Sequence, residues 1–181
     1  MIIKSFELEK LKSHKSNLHL IFGNNTGSKE DIIKDVYLKN FNGEVLKYEE
    51  KEILNEADKF LSSLFTKSLF EDSKLIIISR CSDKLVDLVT EILEKEIVDT
   101  KIVIKCPNLE KKSKLRIFFE KRKECVCVPF YPDNEQTLFK IAFDFFKRKN
   151  ISISTLNINL IINKCNNDRG NLFNELDKIE Y

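Results

Sequence analysis

Gly23-Asn24-Asn25-Thr26-Gly27-Ser28-Lys29-Glu30 is the stretch of this sequence whose residue types come nearest to a chemical motif. Glycines followed by Ser and Lys are the material of a phosphate-binding loop. Such a loop needs four residues between its glycines, so that backbone N–H groups curl around phosphate. Lys must follow for the charge, and then Ser or Thr for Mg²⁺. Here three residues separate Gly23 from Gly27, Lys29 is displaced by one position, and Glu30 stands where the hydroxyl belongs. Glu30 would repel phosphate. The metal's acidic partner, expected where a central strand ends, is also missing. Leu75–Ser79 runs into Arg80, and Ile102–Cys106 into Pro107. Gly23, Gly27 and Lys29 therefore mark a degenerate loop that holds no nucleotide, and no cofactor is expected.

The remaining reactive residues form no centre. The two histidines, His14 and His19, lack the i, i+4 spacing of a zinc helix. Cys125 and Cys127 share one side of a strand-like run without a second pair, and read as buried thiols. No metal site and no intrinsic catalysis is expected. Lys111, Lys112, Lys114 and Arg116 begin a basic helical stretch over 109–123, and Lys147-Arg148-Lys149 ends another. They suit a solvated face or scattered contacts to nucleic-acid phosphates. The formal net charge is only +2, so no field of the whole molecule draws in nucleic acid.

The elements that carry these residues are legible as apolar runs. Leu18–Phe22, Val45–Tyr48, Leu75–Ser79, Ile102–Cys106 and Cys125–Phe130 are short and nearly continuous, which predicts strands buried on both faces. Helical periods fill the gaps, over 28–41, 50–66, 83–97 and 109–123. Such alternation predicts an α/β domain with a mostly parallel sheet flanked by helices. Past Tyr131-Pro132-Asp133 the strands stop. Helices are expected over 135–149 and 155–164, with a third capped by Asn167 or Asp168 and running to Tyr181. Residues 1–133 and 134–181 thus divide into an α/β domain and a small helical one. No apolar run is long enough to span a membrane, and residues 1–12 lack a signal-peptide pattern. With reduced cysteines, this suits the cytoplasm.

One apolar pair does not fit its helix. On a helical wheel with Leu61 as origin, Leu54, Ala57, Leu64 and Phe65 fall within about 60° of it, a core stripe. Leu69 lies at the stripe's edge, and Phe70 falls at about 180°. If the helix runs on to Phe70, that ring faces solvent and the Leu-Phe pair has the makings of a small docking wedge; if the helix ends earlier, both residues turn back into the core.

Several segments together resemble the delta subunit of the bacterial DNA polymerase III clamp loader. LIFGNNTG resembles that family's strand and non-nucleotide loop. SLFTKSLFEDSKLIIISR resembles its helix with a Ser-Leu-Phe end, followed by a central strand. LEKKSKLRIFF at 109–119 resembles its Lys/Ser-rich helix start, and DRGNLFNELDKIEY its late signature. The match runs in order over nearly the whole chain. It implies a RecA-like AAA+ domain and a helical lid, with the family's collar domain expected beyond this sequence. It implies no ATP hydrolysis, and Ser68, Leu69 and Phe70 as the residues that enter the β sliding clamp. The partners implied are that clamp, the ATPase tau/gamma and delta-prime subunits of the loader, and primer–template DNA weakly or indirectly. Ser79-Arg80-Cys81 matches the arginine-finger triplet of a sister subunit, but after a central strand it is out of place, and Arg80 reads as a surface residue. The rival functions are an active P-loop ATPase or kinase, and a DNA-binding module built on the basic helices.

Overall fold

The computed structural model describes residues 1–4, 7–65, 73–95, 97–166 and 168–180. They fall into two compact units. Met1–Gly23 with Ile32–Phe130 forms the first, and Asn24–Asp31 with Tyr131–Tyr181 the second.

The first unit is built on five strands: β1 (Leu18–Phe22), β2 (Glu44–Glu49), β3 (Lys74–Ser79), β4 (Thr100–Lys105) and β5 (Cys125–Pro129). Every pairing is parallel, and the order is β2-β3-β4-β1-β5. β1 lies between β4 and β5, with Leu18 opposite Ile102 of β4 and Cys125 of β5. The runs of β1, β3, β4 and β5 are buried on both sides, whereas β2, expected to be so as well, is an edge strand with Val45 38% exposed. Leu20, Phe22, Ile76, Ile78, Ile102 and Cys127 join one core cluster; Ile21, Ile77, Val103, Val126 and Val128 join another.

Helix α1 (Leu8–Ser13) precedes β1. After β1 the chain runs through α2 (Thr26–Ile32) and continues as a π-helical stretch, Ile33–Leu38. Ile33 and Tyr37 of that stretch pack into the second cluster. Three further segments cross between strands: α3 (Glu50–Asn55) with α4 (Ala57–Phe65), a 3₁₀ turn (Asp83–Leu85) leading into α5 (Val86–Glu94), and α6 (Lys114–Lys121). Their apolar residues Ile53, Leu61, Leu64, Leu88, Ile92, Leu115 and Phe119 meet the first cluster. The chain leaves β1 for the far edge at β2 and leaves β4 for β5 on the opposite side. The carboxyl ends of β1 and β4 therefore flank a switch point, where open parallel sheets place their binding crevice.

Two helices differ from expectation. The helix predicted from Glu50 breaks at Glu56, whose φ of −131° and ψ of 47° leave the helical region. A reciprocal capping box between Glu49 and Glu52 starts α3. The buried stripe is Ile53, Phe60, Leu61 and Leu64, whereas Phe65, expected in the core, is 48% exposed. The break at Glu56 resets the helical phase between α3 and α4, so a single wheel across 54–65 does not hold. The helix predicted over 109–123 is shorter, because a cap fixes its start at Lys114. Ser113 Oγ accepts from the Arg116 N–H at 3.2 Å, and Asp83 Oδ1 accepts from the Leu115 N–H at 3.0 Å.

The second unit holds α7 (Glu135–Arg148), α8 (Thr155–Lys164) and α9 (Arg169–Glu180). They enclose a core of Leu138, Ala142, Phe145, Phe146, Ile158, Ile162, Leu172 and Leu176. Each helix begins at a side-chain cap. Asn134 accepts from the Thr137 N–H at 2.8 Å, Ser154 from Asn157 at 3.2 Å and Asp168 from Asn171 at 2.8 Å. The 24–31 segment, expected with the sheet domain, groups with these helices.

Candidate functional site

Gly23 closes β1 and is the one glycine at positive φ, +129°. A Cβ there would lie 2.0 Å from the Phe130 carbonyl oxygen. The strand end and residue 130 approach so closely because the Phe130 N–H donates to the Phe22 carbonyl at 2.7 Å. The Gly23 N–H donates to the Pro107 carbonyl, beyond β4, at 3.1 Å. Gly23 thus serves backbone packing at the switch point.

The rest of the loop position, residues 24–31, carries a polar cluster inside the second unit. Asn25 Oδ1 accepts from the Ser28 N–H at 3.0 Å, and its Nδ2 donates to Asp133 Oδ2 at 2.6 Å and to the Tyr131 carbonyl at 3.2 Å. Arg169, the first residue of α9, grips the same carboxylate with two donors. Its Nε reaches Asp133 Oδ2 at 2.8 Å, and a terminal nitrogen reaches Oδ1 at 2.6 Å. The other terminal nitrogen donates to Ser28 Oγ at 3.2 Å and lies 3.6 Å from an Asp31 carboxylate oxygen. The Asp133 and Arg169 side chains are 7% and 18% exposed, so the pair is largely out of water. A Cβ on Gly27 would stand 3.3 Å from the Gly170 nitrogen, which shows how tightly this segment lies on the start of α9. Lys29, the displaced loop lysine, is buried. Arg169 and Asp133 were not singled out from the sequence. The one local sign was Gly170, a small residue directly after a charged one at a helix start.

The basic residues separate. Lys111 and Lys112 lie in a turn ahead of α6, Lys112 beside Glu110 at 3.1 Å, and Lys114 opens the helix. Arg116 turns inward. Its Nε donates to Glu120 at 2.8 Å, another nitrogen donates to the Leu109 carbonyl at 3.1 Å, and the guanidinium lies 4.9 Å from the Phe22 ring centre. Arg116 is thus a packing residue, and its place among candidate phosphate contacts is corrected. Arg80 projects from the end of β3 with φ of 57° and pairs with Glu49 at 3.0 Å.

His19 is buried in β1. Its Nε2 lies 3.0 Å from the Ser16 carbonyl, which can only accept, so Nε2 carries the proton. Nδ1 then accepts from the Tyr37 hydroxyl at 2.6 Å. Desolvation, aided by the charge of Lys101, pulls the imidazole down to about 3, and burial pushes the Tyr37 phenol up. All five cysteines are free and buried, and desolvation raises Cys125 to about 11 and Cys127 to about 12. Those two thiols are core material rather than nucleophiles. No cluster of metal-ligating residues and no helix long and apolar enough to cross a membrane occurs among the described residues. Ser68, Leu69 and Phe70 lie outside the described residues.

No protein-family model matches this sequence, and no curated protein matches it. Solved structures do. The five-stranded parallel sheet flanked by helices is an AAA+-like α/β fold. The DNA clamp loader delta protein of Bacillus subtilis shares that fold at 14% identity and a TM-score of 0.64, over 97% of this chain and 57% of its own. A Walker-type ATPase of Pyrococcus abyssi shares it at 12% identity and a TM-score of 0.51, over 88% of this chain and 61% of its own. The chain thus spans less than two thirds of either protein.

Proposed function

We propose that this chain acts as a clamp-loader delta protein does by name: it grips a ring-shaped sliding clamp through Ser68-Leu69-Phe70 and performs no chemistry. The observation that carries this reading is the loop after β1. In an AAA+-like fold that segment would cradle a nucleotide, yet here the Asp133 carboxylate, Asn25 and Arg169 are bonded to one another beside it. A scaffold of this fold without a nucleotide has binding left as its work. The likeness to the Bacillus subtilis protein supports the choice of partner, as do the Ser-Leu-Phe segment ahead of β3 and the DRGNLFNEL tail.

The mechanism is association followed by a shift in population. A buried Leu or Phe side chain contributes roughly 1.5–3 kcal/mol. A wedge that fits the open clamp better than the closed one draws the ring toward opening by that difference in affinity, without covalent steps. ATP would act through the tau/gamma subunits, which with delta-prime are the proposed neighbours in a loader. Lys111, Lys112 and Lys114 remain for weak contacts to primer–template phosphates.

Calorimetry tests the reading. Clamp titrated into the full chain should bind without nucleotide, with an affinity that ATP and Mg²⁺ leave unchanged. Saturable micromolar binding of ATP by the chain alone would favour an active ATPase instead.

A further inference from the structure

We propose that Asn25 and Arg169, the latter steadied by Ser28, form an oxyanion site that the chain fills with its own Asp133 carboxylate, so that phosphate enters only when that carboxylate is removed. The inference rests on the reading above that the loop holds no nucleotide, and it supplies the cause.

The geometry is that of an occupied anion site. Three N–H donors from two side chains converge on one carboxylate: Arg169 Nε and Asn25 Nδ2 on Oδ2, and a terminal Arg169 nitrogen on Oδ1. A guanidinium presents the same two-pronged face to carboxylate and to phosphate. The third Arg169 nitrogen donates to Ser28 Oγ at 3.2 Å, which holds the fork in position. Asp133 directly precedes the α7 cap Asn134, so its carboxylate is delivered by the chain at high effective concentration. A free phosphate must displace it. Asp31, 3.6 Å from Arg169, adds negative charge that further opposes a dianion. The ligand class is thus a phosphate-type oxyanion, either free phosphate or the terminal group of a polyphosphate.

The test uses the full chain and inorganic phosphate, with thermal stability and phosphorus NMR as readouts, at ionic strength matched with chloride. Asp133→Ala should unfold at lower temperature and regain stability with phosphate, binding it roughly tenfold or more tighter than the native chain. Asp133→Ala with Arg169→Gln should lose that response. Pyrophosphate and formate, run beside phosphate, show whether the emptied site prefers a polyphosphate end, a free phosphate or a carboxylate. Phosphate binding by the native chain equal to that of Asp133→Ala would overturn the proposal. So would Asp133→Ala that folds and ignores phosphate. Should Asp133→Ala fail to fold, Asp133→Asn is read the same way, and its indifference to phosphate refutes the idea. Either negative leaves the clamp reading standing, because that reading falls only with clamp affinity or with ATP binding by the native chain.

Discussion

Replacing His19 by Gln should flatten the acid limb of the protein's stability. The imidazole is buried in β1, with Nε2–H donating to the Ser16 carbonyl and Nδ1 accepting from Tyr37. A proton on Nδ1 would reverse the Tyr37 bond and place a charge in the core, where desolvation opposes it. The native chain therefore holds the group at about 3, against an ordinary 6.5. A depressed histidine is bound more tightly by protons in the unfolded state. Stability is accordingly unaffected above the unfolded value and falls as pH drops through the interval down to the folded one. The loss is about 1.4 kcal/mol per pH unit, or roughly 2.7 kcal/mol between neutrality and pH 4.5. Urea unfolding of the native chain and His19→Gln across that interval measures it. Gln retains an N–H for Ser16 and carries no titrating proton. The variant should start less stable at neutral pH, and the gap between the two proteins should shrink by about 2–3 kcal/mol on acidification. Carboxylates common to both chains cancel in the difference. A gap that stays constant with pH would refute the reasoning.

Gly23→Ala should cost more than about 3 kcal/mol, because the backbone at residue 23 lies at positive φ and a methyl there meets the Phe130 carbonyl rather than a movable side chain. Urea unfolding checks it, and a loss below about 1 kcal/mol would contradict the packing described at the switch point. Arg116→Ala should destabilise by about 1–3 kcal/mol through its bonds to Glu120 and Leu109 and its stacking on Phe22, and leave any DNA affinity unchanged. Lys111→Ala with Lys112→Ala should do the reverse: equal stability, and a shallower salt dependence in a DNA-binding titration.

Most of the sheet could be read from the sequence because β1, β3, β4 and β5 are buried on both faces and so carry short apolar runs, whereas β2 at an edge is half exposed. The helical unit was legible for a related reason: α8 has the predicted bounds, and the Asp168 cap lies where a short polar residue precedes an apolar period. What escaped reading depended on partners distant in sequence. Asp133 and Arg169 meet across a gap of 36 residues, and nothing in either neighbourhood announces the other. Arg116 stands among lysines, and the Phe22 ring on which its guanidinium lies is far away in sequence. The start of α6 is fixed by Asp83, thirty positions from the Ser113 cap. The stripe of α3 and α4 differs from the wheel because the two helices break at Glu56 and do not share one phase. For the candidate site, spacing alone marked how the loop departs from a phosphate-binding pattern, and the tertiary contacts supplied the Asp133–Arg169 pair within the second unit.

Surface plasmon resonance on an immobilised sliding clamp tests the central claim most directly, with the full chain and Leu69→Ala/Phe70→Ala as analytes. The native chain should bind saturably, and the double variant, with an unchanged urea midpoint, should bind about 100-fold or more weakly, the loss expected when two apolar anchors worth a few kcal/mol together are cut back. Equal binding by both proteins, or no binding by the native chain, would contradict it.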